Sequence, residues 1–202
     1  MKKKLSIKSV MMSLAVALVI FSTIGSTVAW LITKTEPVKN TFTYGDINIT
    51  LTETDTGDND GNSNTNSYIM IPGKTIVKDP KVTVQKGSEN SWLFVKVENS
   101  TEPAFDNFMT YEIAEGWTAL EGIENVYYRE VDKPIDADAE FSVIKDNIVT
   151  VKETVTKEDL NALTNYPTLT ITAYAVQRDH EIDAIDTAVE AWTLVSQSSQ
   201  TK

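Results

Sequence analysis

Few of the side chains that usually carry chemistry occur in this 202-residue chain, which has one histidine, His180, and no cysteine. The chain therefore cannot supply a two-His zinc site, a Cys nucleophile or a Cys-based metal centre. No H-E-x-x-H, G-x-S-x-G or glycine-rich phosphate loop occurs. His180 lies in the charged run Arg178-Asp179-His180-Glu181 and reads as a solvated loop residue. Among 29 acidic residues a carboxylate pair for glycoside hydrolysis could hide, but that abundance makes any single pair uninformative. The side chains therefore point to a protein that is not an enzyme.

The densest group of hard oxygen ligands is Asp58-Asn59-Asp60-Gly61-Asn62. Clustered carboxylates and amides around a glycine suit calcium. With Gly61 at loop position six, however, Thr56 and Ser67 fall where an EF-hand needs acidic ligands. Thr54 to Ser67 contains no apolar residue, so a polar surface loop is the simpler reading. Weak calcium binding at Asp58, Asp60 and Asn62 is the alternative, and it would suit a cell-surface binding module or adhesin.

Strands must position whatever site the chain has. Ile47, Ile49 and Leu51 alternate with polar residues, as do Val82 and Val84, which predicts strands with one buried face. Trp92-Leu93-Phe94-Val95 with Val97 is denser and predicts a strand covered on both faces. The longest candidate, Thr168 to Gln177, sends Leu169, Ile171, Ala173 and Ala175 one way and Thr168, Thr170, Thr172 and Tyr174 the other. Shorter strands are expected at 109–113, 126–131, 140–144 and 147–151, separated by turns at Pro72-Gly73, Gly87-Ser88, Glu115-Gly116 and Asp146-Asn147. Many short strands without a βαβ rhythm predict an all-β, antiparallel β-sandwich. One or two short peripheral helices join it. Thr156-Lys157-Glu158-Asp159 resembles a capping box and starts the first, and Ile185, Ala188, Val189, Trp192 and Val195 form one face of the second, about 184–196.

Lys2, Lys3, Lys4 and Lys8 precede a nearly unbroken apolar run from Val10 to Ile24, followed by small residues to Ala29. This is the layout of a signal-peptide helix, too short to cross a bilayer comfortably, with cleavage expected between Ala29 and Trp30 and with Thr27 at the upstream specificity position. An uncleaved segment would be the chain's one membrane contact. The domain reading is a signal peptide at 1–29, an extended segment at 30–45 and a β-sandwich domain at 46–202. Cleavage leaves 173 of the 202 residues, enough for one core without disulfides. Four of the 18 basic residues leave with the signal, so 14 face 29 acidic ones, a net charge of −15. Such a charge repels nucleic acid.

Gly25-Ser26-Thr27-Val28-Ala29-Trp30-Leu31 and Thr35 to Ile47 resemble the junction of signal and mature chain in the TasA/camelysin family of exported Firmicutes proteins. Thr172-Ala173-Tyr174-Ala175-Val176-Gln177 with Ala188-Val189-Glu190-Ala191-Trp192 is similar to the ending of its short members, and Pro72-Gly73-Lys74 and Lys78-Asp79-Pro80 add to the likeness. The resemblance implies a jelly-roll sandwich, processing by a dedicated ER-type signal peptidase, and a secreted structural role in biofilm-matrix fibres, with itself or other matrix proteins as partners. It further implies that the freed segment from Trp30 to Tyr44 serves as a donor strand for the next subunit. Val38, Phe42 and Tyr44 sit there at even spacing, as β-augmentation requires. The same segment could instead be the first strand of its own sheet. Camelysin-like members have been classed as metallopeptidases, an activity for which the single histidine offers no zinc site.

Overall fold

The computed structural model describes residues 32–34 by their backbone, and 47–56, 65–178 and 185–198 in full. The signal region and its junction residues Thr27, Ala29 and Trp30 lie outside these. So do Val38, Phe42, Tyr44, Asp58, Asp60, Asn62 and His180.

The described chain is mostly β, arranged in three antiparallel sheets. The largest has five strands in the order β1 (Ile32–Lys34), β11 (Leu169–Gln177), β5 (Ser91–Asn99), β8 (Val126–Val131) and β7 (Thr118–Ala119). A second sheet orders β3 (Thr75–Val77), β10 (Ile148–Val151) and β6 (Met109–Thr110); the third orders β2 (Ile49–Thr52), β4 (Lys81–Val84) and β9 (Ala139–Ser142). At the centre β11 and β5 pair along their whole lengths, from Leu169 opposite Asn99 to Gln177 opposite Ser91.

Two-residue alternation decides what each face of this central pair meets. Leu93, Val95, Val97, Ile171, Ala173 and Ala175 face one way, into a core shared with Ile47, Ile49 and Leu51 from the β2 region, Val82 and Val84 from β4, and Val149 and Val151 from β10. Trp92, Phe94, Tyr174 and Val176 face the other way and are also buried. A helix covers them: α3 (Ala188–Ser198) buries Ala188, Ala191 and Val195, while its Trp192 ring stands 5.4 Å from that of Phe94 and 5.3 Å from that of Tyr174. The expectation of a strand covered on both faces is thus met by α3. The helix begins with a capping box. Thr187 Oγ1 accepts from the Glu190 amide at 3.2 Å, and the Glu190 carboxylate accepts from the Thr187 amide at 3.2 Å.

Two other short helices are α1 (Phe105–Phe108) and α2 (Lys157–Asn161). The capping box expected ahead of α2 is present: Thr156 Oγ1 accepts from the Asp159 amide at 3.1 Å and the Asp159 carboxylate from the Thr156 amide at 2.8 Å. Glu115-Gly116 turns as expected, with Gly116 at φ +85°.

Several boundaries differ from expectation. The strand placed at 109–113 pairs only at Met109 and Thr110, after which Ile113 makes an isolated bridge to Ile144. Asp146 and Asn147 adopt left-handed φ of 55° and 56°, which Asp and Asn tolerate, so β10 starts at Ile148 instead of Asn147. Ile185 is buried but precedes α3, where its carbonyl accepts the Trp92 indole N–H at 2.9 Å. Val189, expected on the packed face of that helix, is 48% exposed, because the buried stripe runs through Ala188, Ala191 and Val195. α1, β3 and β7 were not anticipated.

Candidate functional site

β2 and β11 belong to different sheets yet run close to one another, and both feed the same core. Between the end of β2 and the start of β11 lies a groove of about 610 Å³. Leu51, Thr52 and Glu53 form one wall and Pro167 to Ile171 the other, over a floor that includes Phe105, Met109 and Val149. Among the described residues the outer edge of β11 carries a partner only where β1 pairs with it, Ile32 opposite Val176 through Lys34 opposite Tyr174. Among the described residues Leu169 to Ile171 have β5 on one side and no strand on the other. β2 likewise pairs only with β4. The groove is therefore bounded by two strand edges whose ladder groups are not taken up by described strands, above an apolar base.

One end of the groove is polar. Glu53 continues the parity of Ile47, Ile49 and Leu51 and so turns inward, where Lys78 Nζ meets its carboxylate at 2.8 and 3.0 Å. The two side chains are only 11% and 12% exposed. A buried pair of this kind must satisfy its remaining lone pairs, and the Tyr68 hydroxyl does so by donating to Glu53. Lys78 Nζ also stands 5.5 Å from the centre of the Tyr68 ring. Burial first, and the Glu53 carboxylate second, push the Tyr68 phenol far above its ordinary range, so it remains a donor at any physiological pH. The cluster ties together the segments that carry Glu53, Tyr68 and Lys78.

The same end closes the base of the acidic loop. The Asn66 side chain accepts from the Thr56 amide at 2.8 Å and donates to the Thr54 carbonyl at 3.1 Å. Asp79 accepts from the Thr54 amide at 3.0 Å and from its hydroxyl at 2.7 Å. Burial pushes the Asp79 carboxyl up, but these two bonds, with its own backbone amide and the charge of Lys81, outweigh it and hold the group below the usual carboxylate range.

The structure thus places none of the earlier candidate residues in the groove, since Val38, Phe42, Tyr44 and the calcium candidates all lie outside the described residues. Glu53, Tyr68 and Asn66 were not singled out in the sequence, and Lys78 only within the Lys78-Asp79-Pro80 likeness. Glu53 alone carried a signal, as the next inward position of an apolar alternation. Among the described residues no group of three or more His, Cys, Asp or Glu could hold a metal ion, and no helix is long and apolar enough to cross a membrane. No protein-family model, no curated protein and no solved structure matches the chain.

Proposed function

We propose that this chain is a secreted, non-enzymatic structural protein of the extracellular or biofilm matrix. In this reading its three sheets make a β-sandwich of jelly-roll type, and copies join by adding an extended strand of one to the open edge of β11 in the next. The observation that carries the proposal is that edge: Leu169, Thr170 and Ile171, at the start of a central strand, line the groove with β5 on one side and no strand of the described residues on the other. Main-chain hydrogen bonds along such an edge supply affinity, and the groove takes alternate side chains. A strand continuing the register of β1 from Lys34 would run along Ala173 to Leu169 and into the groove. Such a strand can come from the same chain or from a neighbour, and exchange between the two turns a closed monomer into a polymer. The resemblance of the 25–47 stretch to exported matrix proteins points the same way.

The test compares protein beginning at Trp30 with protein beginning at Asp46 by electron microscopy. The longer form is expected to make filaments and the shorter form none, whereas identical monomers from both would end the polymer reading.

A further inference from the structure

The chain contains two arginines, Arg129 and Arg178. Arg178 is spent on ion pairs, with Nη1 at 2.7 Å from Glu130 and Nη2 at 2.8 Å from Asp132. Arg129 is placed differently. It lies on β8 opposite Leu93, a fully buried residue of the shared core, and so turns inward. Its guanidinium carbon sits 3.9 Å from the centre of the Phe141 ring and 5.3 Å from that of Trp117. The indole is itself fixed, since its N–H donates to the Ser142 carbonyl at 2.8 Å. Gly116, at φ +85°, brings its backbone close to the guanidinium, where a Cβ would stand 2.8 Å from Nη2.

No carboxylate pairs with this cation among the described residues, and its buried Nε has no hydrogen-bond partner. Burial alone lowers its pKa from the ordinary value, with no acidic neighbour to offset the desolvation. A half-buried cation left unpaired is unusual anywhere and more so in a chain of net charge −11. Rings against a guanidinium occupy its faces and leave its in-plane N–H groups free, which is the geometry that takes a carboxylate through two parallel hydrogen bonds.

We propose that Arg129, oriented by Trp117, Phe141 and Gly116, is a binding site for a carboxylate, supplied either by an acidic side chain of a second copy or by a free carboxylic acid. The site stands independently of the strand-addition reading.

Two arginines make the test clean, because the side-chain Nε–H region of a ¹⁵N NMR spectrum holds two assignable signals. Protein beginning at Trp30, kept below the concentration at which filaments appear, is titrated with sodium acetate replacing chloride at fixed pH and ionic strength, and is separately diluted without acetate. A saturable shift of the Arg129 Nε–H and the Trp117 indole N–H on adding acetate, with Arg178 still, identifies a free carboxylate as ligand. Movement of the same two signals on dilution, reversed by competing acetate, identifies a second copy. Arg129→Lys keeps the charge but loses the fork, so the Trp117 response should vanish while the unmoved Arg178 signal reports an intact fold. Signals that move in neither series, or that move equally in Arg129→Lys, overturn the proposal.

Discussion

The two ends of β11 meet different surroundings. From Tyr174 to Gln177 the strand is finished on every side: β1 pairs with one edge, β5 with the other, Trp192 of α3 packs on the ring of Tyr174, and Arg178 just beyond ties the end to Glu130 and Asp132. From Leu169 to Ile171 the same strand keeps β5 and the shared core but, among the described residues, borders the groove instead of a strand. Among the described residues one strand is thus paired on both edges toward its C-terminal end and on one edge at its start. Edges of central strands are normally covered, because a bare ladder recruits other chains, which is why the proposed strand addition is placed at this end.

Attacks on the two ends should therefore break different properties. The largest effect belongs to the donor side: removing residues 30–45 is expected to abolish filaments entirely while leaving the compact unit able to fold, as microscopy and circular dichroism would show together. At the closed end, Trp192→Ala strips the rings of Phe94 and Tyr174 of their cover and should cost about 3 kcal/mol in urea unfolding. Filaments of the surviving folded protein should keep their form. Beside the groove, Lys78→Ala leaves the Glu53 carboxylate buried without its cation and should cost roughly 2–3 kcal/mol, allowing for its slight exposure. Replacing all three partners, Glu53→Leu with Lys78→Leu and Tyr68→Phe, should recover most of that loss, since no polar group of the cluster is then left without a partner, and a loss equal to the single variant's would contradict the ion-pair account.

The smallest effect is on pH. Burial first, and the neighbouring Tyr127 second, push the Tyr111 phenol up to about 12, and Tyr68 is raised in the same sense. A folded pKa above the unfolded value means that stability is intact below about pH 10 and falls as pH rises toward about 12, because the unfolded chain releases those protons first. Alkaline titration followed by circular dichroism should show this decline, and replacing Tyr68 by Phe should lessen it. A stability that is flat across that window would show that the two phenols are more exposed than the packing implies.

Much of the fold was legible in the sequence, for a physical reason that also explains the gaps. Strands that bury one face announce it by alternation, so Ile49–Leu51, Val82–Val84 and the whole of β11 were placed almost to the residue, with the two faces of β11 assigned as found. The capping box of Thr156 and Asp159 was legible because the bonds that make it are local. β3, β7 and α1 span two to four residues, too few to show any period. The groove could not be seen at all. It arises because β2 and β11, far apart in sequence, come together through the shared core, and nothing in either strand alone records that meeting. Arg129 is a similar case, since its isolation depends on which acids the fold leaves out of reach.

The chain has no cysteine, which permits a direct test of whether a strand from a neighbour enters the open edge of β11. The β1 register, continued from Ile32 opposite Val176, brings position 38 opposite Thr170. One preparation carries Val38→Cys, a second carries Thr170→Cys, and the two are mixed under oxidising conditions and run without reductant. Disulfide-linked dimers that require both preparations are the predicted result. Cross-linking only when both cysteines sit in one chain, with no dimer from the mixture, would show that the strand closes its own sheet and would contradict assembly by exchange.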